Sequence, residues 1–143
     1  MKTTISLLFF LCTTLFVFGQ NSLEITITNI EDDKGQILIS LYNPDDDFPY
    51  HPSRHYDVEK TAYFKDGTII YTIKDIPAGK YAVALLDDTN KNQDMDYNFV
   101  GIPQEGYGFS NNAKPRMLNP PYFEDCTFQV DSAQNIEIKM KYW

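Results

Sequence analysis

Five side chains with oxygen atoms alternate along one acidic stretch, DTNKNQDMD, and could together hold a hard cation. Asp88, Asn90, Asn92, Asp94 and Asp96 occupy its positions 1, 3, 5, 7 and 9. Calcium takes about six to eight oxygen ligands, and a tightly coiled loop with this spacing supplies most of them. The spacing therefore predicts a calcium loop, with calcium as the expected cofactor.

Two positions of this stretch depart from the EF-hand pattern. Its sixth position is Gln93, where an EF-hand has glycine, and its twelfth is Phe99, where an EF-hand has a bidentate glutamate. The remaining metal ligands would come from Asp87, Asn98 or Glu105. The competing interpretation is an acidic, solvated loop without an ion, whose Asn and Asp side chains bond to their own backbone.

The two histidines, His51 and His55, are four residues apart, as in some zinc sites on helices. Pro49 and Pro52 argue against a helix through this pair, and no third ligand has a fixed spacing to it. We therefore expect surface histidines, and no catalytic Ser-His-Asp arrangement can be recognised from the spacing.

Aromatic residues surround a long connection that is predicted between residues 97 and 123. Connections of this length are usually packed by their own side chains or used for binding. Buried rings would fix the connection to the fold, whereas exposed, coplanar rings would stack on a sugar or a peptide. The candidate ligand-binding residues are Tyr107, Phe109 and Tyr122.

Alternating apolar residues predict the elements that must position these loops. The ranges 23–30 and 36–43 have period two, and a glycine at position 35 between them predicts a hairpin with a positive φ. Gly79, in the turn before another strand, is also expected at positive φ. Further strands are predicted near 57–64, 68–73, 80–86, 125–130 and 135–142. About seven short strands favour an all-β fold, an antiparallel Greek-key β-sandwich.

The first 19 residues have the composition of a secretory signal peptide, with Lys2 followed by an apolar run from Ile5 to Phe18. This run of about 14 residues is shorter than the roughly 20 that a membrane-spanning helix needs. We therefore expect 20–143 to form a single domain, exported to the periplasm or the cell exterior, with no membrane span after cleavage.

The mature chain is acidic and has one cysteine. Without Lys2, 11 of the 12 basic residues remain against 20 acidic ones, a net charge of about −9, which repels nucleic acid. Cys126 alone cannot form an internal disulfide, so we expect a buried, structural thiol and a fold stabilised by its core. The chain is expected to be a monomer.

Three stretches, DIPAGKYAVALLDDTNKNQDMDYNFVG, GIPQEGYGFSNNAKPR and PPYFEDCTF, together resemble the domain-of-unknown-function family 2141, small exported bacterial proteins. The resemblance extends from about Leu23 to the C-terminus. It implies a transthyretin-like or carboxypeptidase-regulatory-like β-sandwich and no established activity. This chain departs from the family's pattern at Asp87, where His is usual, and at Lys91 and Gln93, where Gly is common.

Several functions are compatible with these features. The leading hypothesis is a non-catalytic binding or accessory module of the bacterial envelope, with a glycan or a protein as its ligand. One alternative is a carbohydrate-binding module that uses the loop aromatics. Another is a glycan hydrolase with paired carboxylates among Asp87, Asp88, Asp96 and Glu105, for which the carboxyl groups would lie about 5–9.5 Å apart across an open groove.

Overall fold

The computed structural model describes residues 21–117 and 119–143, and the predicted signal peptide at 1–19 lies outside them. In this part of the chain eight strands form two sheets, which confirms the prediction of an all-β sandwich. The strands are β1 (Ser22–Thr28), β2 (Gln36–Tyr42), β3 (Arg54–Glu59), β4 (Ile69–Lys74), β5 (Gly79–Asp88), β6 (Gly106–Phe109), β7 (Phe128–Val130) and β8 (Gln134–Lys139). The helical turns are α1 (Lys60–Tyr63), a 3-10 turn (Ser110–Asn112) and α2 (Phe123–Cys126).

The first sheet has the order β4-β1-β8 and the second β3-β2-β5-β6, with β7 also paired to β5. β1 and β8 are parallel, whereas the other strand pairs are antiparallel. The predicted hairpin of β1 and β2 is wrong, because these strands lie in different sheets. Gly35 has the expected positive φ of 71°, but its turn leads the chain from one sheet to the other.

The core lies between the inner faces of the two sheets, where the alternation in the sequence places it. Leu23, Ile25 and Ile27 of β1 are fully buried, and Ile37 and Ile39 of β2 face them from the second sheet. Burial of such side chains stabilises the fold by about 1.5–3 kcal/mol each. The described residues contain no helix long and apolar enough to cross a bilayer.

A second, smaller cluster lies on the outer face of the five-stranded sheet and contains Tyr42, Ala82 and Cys126. The Cys126 thiol is fully buried, and this burial raises its pKa to about 12. The thiol therefore stays protonated at neutral pH, in agreement with the structural role expected for it.

Several predicted element boundaries differ from the structure, and the strand predicted at 125–130 begins only at Phe128, after α2. The strand predicted at 57–64 ends at Glu59 and continues as α1. The long connection contains the strand β6, in which Gly106 and Gly108 alternate with aromatic residues. Glycine is needed at position 106 because a Cβ there would collide with the Tyr142 ring. The positive φ predicted for Gly79 is wrong, because Gly79 opens β5 and the positive φ of the preceding turn belongs to Asp75.

A buried lysine joins α1 to β5. The Lys60 ammonium lies 2.8 Å from Asp87 Oδ1 and 3.0 Å from Asp32 Oδ1, and the side chains of Lys60 and Asp87 are almost completely buried. Tyr142 donates a hydrogen bond of 2.6 Å to Asp87 Oδ2. The hydrogen bond from the Lys34 N–H has the largest effect in lowering the pKa of Asp32, and the hydrogen bond from the Lys60 ammonium lowers it further. The network ties together four segments that are distant in the sequence.

Replacing Lys60 by Met should lower the free energy of unfolding by about 3–5 kcal/mol, because the buried Asp87 carboxylate would lose its counter-ion. The matched control is Lys91→Met, because Lys91 pairs with Glu59 at 2.7 Å on the surface. That exposed pair should contribute about 0–1 kcal/mol. Denaturant unfolding measures both variants, and equal losses would contradict the role assigned to Lys60.

Candidate functional site

The loop after β5 is organised from the carboxylate of Asp88, which is fully buried at the end of the strand. Its Oδ1 accepts the Asn92 N–H at 3.1 Å, and its Oδ2 accepts the Gln93 N–H at 3.0 Å. Gln36 of β2 donates to the same Oδ2 at 2.8 Å. One carboxylate therefore fixes the first turn of the loop against the sheet.

Glu105 closes the same loop just before β6. Its Oε1 accepts the Thr89 N–H at 3.0 Å, and its Oε2 accepts the Asp96 N–H at 3.2 Å. Burial raises the pKa of Glu105, and the nearby negative charges of Asp96 and Asp88 raise it further, although the two N–H groups oppose this shift. The carboxylates of Asp88 and Asp96 are thus close enough to Glu105 to contribute to this shift.

The side chains of Asn90 and Asn92 complete this group around Asp96. Asn90 Nδ2 donates to Asp96 Oδ2 at 2.5 Å, and Asn92 Nδ2 donates to Asp96 Oδ1 at 3.1 Å. The amide oxygens accept backbone N–H groups of the loop, from Asn92 and Asp94 respectively. We call Asp88, Asn90, Asn92, Asp96 and Glu105 the loop cluster.

Three other predicted ligands lie apart from the loop cluster. Asp87 points into the sandwich, where it pairs with Lys60. Asp94 has an exposed side chain that lines a cleft beside the loop. Asn98 Oδ1 accepts the N–H groups of Val100 and Ile102, so it stabilises its own turn.

The loop closes without the glycines that were expected at its fourth and sixth positions. Lys91 and Gln93 adopt positive φ angles of 61° and 67°. A left-handed backbone costs a residue with a side chain roughly 1–2 kcal/mol, so the hydrogen bonds to Asp88 must outweigh this strain. Gln93 Nε2 also donates to Asp57 Oδ2 at 3.3 Å, which connects the loop to β3.

A cleft of about 520 Å³ lies on the outer face of the five-stranded sheet, and we call it the outer cleft. Its floor includes Ser40 of β2 and His55 of β3, and its walls come from three loops and the C-terminal segment. Four of the nine exposed large apolar side chains among the described residues line it: Tyr50, Tyr97, Met117 and Trp143. Exposed apolar side chains around a concave surface are typical of a binding site.

The structure separates the three candidate ligand-binding aromatics. Tyr107 and Phe109 line the outer cleft, but their ring planes are inclined by 54° and are not coplanar. Tyr122 lies outside the cleft lining, and the Arg116 guanidinium covers its ring at 3.5 Å. A flat stacking platform of these three rings is therefore absent.

A hydrogen-bonded chain of polar side chains crosses the floor of the outer cleft. Ser40 Oγ lies 3.3 Å from His55 Nδ1, and His55 Nε2 lies 2.7 Å from Asp57 Oδ1. Ser40 lies within β2, which pairs with strands on both sides, so the strand offers no free N–H group for an oxyanion. We interpret the chain as a hydrogen-bonding anchor. His51 instead contacts Asp47 at 3.1 Å on the surface.

Most of the chain matches one family of known proteins. The family described as "Uncharacterized protein conserved in bacteria (DUF2141)" matches residues 25–139. The chain belongs to this family. Neither the curated proteins nor the solved structures contain a match. Membership of DUF2141 confirms the resemblance that was recognised in the sequence.

The loop cluster of this DUF2141 chain contains carboxylate and amide oxygen atoms, most of which keep a free lone pair. Asp88 Oδ1, both oxygens of Glu105 and the two amide oxygens each accept one N–H group and keep one further lone pair, whereas Asp88 Oδ2 already accepts two hydrogen bonds. Among the described residues, however, no three His, Cys, Asp or Glu side chains are placed to hold a metal ion. A bound calcium would therefore depend on amide oxygens and water as well as carboxylates.

Sequence reasoning missed the residues that depend on strand pairing. Ser40 and His55 come together because β2 and β3 place them directly opposite each other. Alternation alone indicated that Ser40 faces away from Ile39, but no sequence signal specified its partner. Lys60 was missed because its two carboxylate partners are 28 and 27 residues away, on either side in the sequence.

Proposed function

We propose that this protein is an exported, non-catalytic β-sandwich module of the bacterial envelope that binds a ligand in the outer cleft. The observation that supports this function best is the cleft itself. Its volume of about 520 Å³ falls within the roughly 300–1,000 Å³ of small-ligand sites, and aromatic residues line it. Export is supported by the signal-peptide pattern of residues 1–19.

The acidic loop takes part in this proposed function because its residues form one wall of the outer cleft. Gln93, Asp94 and Tyr97 line the cleft, and all three lie between Asp88 and Glu105, whose carboxylates fix the loop. Calcium in the loop cluster would offset the repulsion between its carboxylates and hold this wall in place. We therefore include a calcium-stabilised loop in the proposal.

Carbohydrate binding is the second candidate, since tyrosine and tryptophan side chains stack on sugars. The favourable observation is that Tyr97 and Trp143 are exposed at the outer cleft. The inclined rings of Tyr107 and Phe109 and the covered ring of Tyr122 weigh against it. Glycan hydrolysis is disfavoured because Asp87 pairs with Lys60. In addition, the carboxylates of Asp88 and Glu105 are buried and already accept hydrogen bonds from the loop.

Calcium should raise the melting temperature of the protein by several degrees relative to a chelator control. With a dissociation constant of about 10⁻⁴ M, 1 mM calcium would add about 1.4 kcal/mol of stability. Asp96→Asn should abolish this shift, because Asp96 belongs to the loop cluster. Asp94→Asn is the matched control and should retain the shift, because Asp94 lines the cleft instead.

Differential scanning fluorimetry in chelator and in calcium measures these shifts. An unchanged melting temperature of the wild-type protein in 10 mM calcium, with no heat of binding by calorimetry, would remove calcium from the proposal. Equal losses in Asp94→Asn and Asp96→Asn would contradict the grouping of the ligands.

A screen of small aromatic compounds should give backbone chemical-shift changes that cluster around the outer cleft. Tyr97→Leu should weaken the binding of the best compound by about fivefold or more, because one exposed aromatic wall is lost. Tyr122→Leu is the matched control, since the two tyrosines are equally exposed (59% and 57%) but Tyr122 lies outside the cleft.

The control variant should bind the compound as the wild-type protein does. Shift changes that cluster on another face, or equal effects of the two tyrosine variants, would refute the outer cleft as the binding site.

A further inference from the structure

We propose that the outer cleft selects ligands that have a positively charged ammonium group on an apolar body. This inference rests on the proposed function, because it names the ligand class of the same cleft. Three separate features of the lining support it: its charge, the direction of its hydrogen bonds and its aromatic side chains.

The first feature is the charge of the cleft. None of the described residues that line it is Lys or Arg, and Asp94 contributes an exposed carboxylate. The whole chain has a formal net charge of −8 at pH 7, so the surrounding potential is negative as well. An anionic ligand would meet repulsion without a compensating cation, whereas an ammonium group would meet attraction.

The second feature is the direction of the hydrogen bonds on the cleft floor. An ionised Asp57 can only accept, so the proton of a neutral His55 ring lies on Nε2, 2.7 Å from the carboxylate. His55 Nδ1 is then the acceptor, and Ser40 donates its hydroxyl proton to it across 3.3 Å. The remaining lone pairs of Ser40 Oγ can only accept. With these protonation states the floor offers an acceptor to a ligand that donates a hydrogen bond, as an ammonium group does.

The third feature is the set of aromatic side chains around this acceptor. Tyr50, Tyr97, Tyr107 and Trp143 line the outer cleft, and the faces of such rings attract cations by about 0.5–2 kcal/mol. The molecule contains an example of this contact, because the Arg116 guanidinium lies over the Tyr122 ring. A cation in the outer cleft would find the same kind of partner, with Asp94 nearby.

The ligand class can be tested with three probes of nearly equal shape: 2-phenylethylammonium, 2-phenylethanol and phenylacetate, with charges of +1, 0 and −1. Trp143 is the single tryptophan of the chain and lines the cleft, so its indole N–H signal reports binding without ambiguity. We expect the ammonium compound to bind about tenfold more tightly than phenylacetate, with the alcohol between them.

Asp94→Asn should weaken binding of 2-phenylethylammonium by about threefold and leave 2-phenylethanol unchanged, because an exposed ion pair contributes a fraction of a kcal/mol. Asp125→Asn changes the net charge equally, and Asp125 is exposed and lies outside the cleft, so it is the matched control. It should leave the affinities of all three probes unchanged.

The outcomes separate this inference from the proposed function. If phenylacetate binds as tightly as the ammonium compound while the shift changes remain in the outer cleft, the ligand class is wrong and the binding module stands. If none of the probes changes the signals of the cleft at millimolar concentration, the ligand class and the proposed cleft both fail.

Discussion

Two consecutive carboxylates at the end of β5 must both be buried, and the rest of the candidate site depends on how each is stabilised. Because side chains alternate along a strand, Asp87 points into the sandwich and Asp88 points to the outer face. A buried carboxylate is costly without partners. Asp87 obtains them from Lys60 and Tyr142, and Asp88 obtains them from Gln36 and the N–H groups of the loop.

The hydrogen bonds of Asp88 determine the shape of the loop that follows. The loop must curl back so that the N–H groups of residues 92 and 93 reach the carboxylate, which is why Lys91 and Gln93 adopt left-handed backbone angles. Glu105 then accepts the N–H groups of Thr89, at the start of the loop, and of Asp96, near its middle, just before the chain enters β6. The curled loop becomes a wall of the outer cleft, so the buried charge and the binding surface are parts of one arrangement.

The strands of the core could be predicted from the sequence because the alternation of Leu23, Ile25 and Ile27 reflects burial of one face. Strand partners could not be predicted, since the alternation of β1 and β2 is the same whether they pair with each other or pack in opposite sheets. β6 was missed because Gly106 and Gly108 give no apolar signal, although the packing of Tyr142 against Gly106 and of Ile138 against Gly108 requires their small size.

The candidate site could be predicted only in part, for a reason that lies in the length of β5. The sequence suggested a strand ending at residue 86, which would leave both aspartates in the loop. The strand continues to Asp88, so Asp87 is turned away from the loop cluster toward Lys60. Spacing therefore identified the loop, but it could not separate Asp94 and Asn98 from the residues that come together. The outer cleft depends on contacts between distant segments and had no local signal.

The central claim is that the two buried carboxylates of β5 have different roles, with Asp88 serving a loop cluster that we propose to bind calcium and Asp87 serving the core. A crystal structure determined in 10 mM calcium, with anomalous scattering to identify the ion, tests it most directly. The account predicts one calcium ion about 2.3–2.6 Å from oxygen atoms of the loop cluster, with Asp87 still paired to Lys60. A calcium ion bound by Asp87, or a loop cluster without a calcium ion, would contradict it.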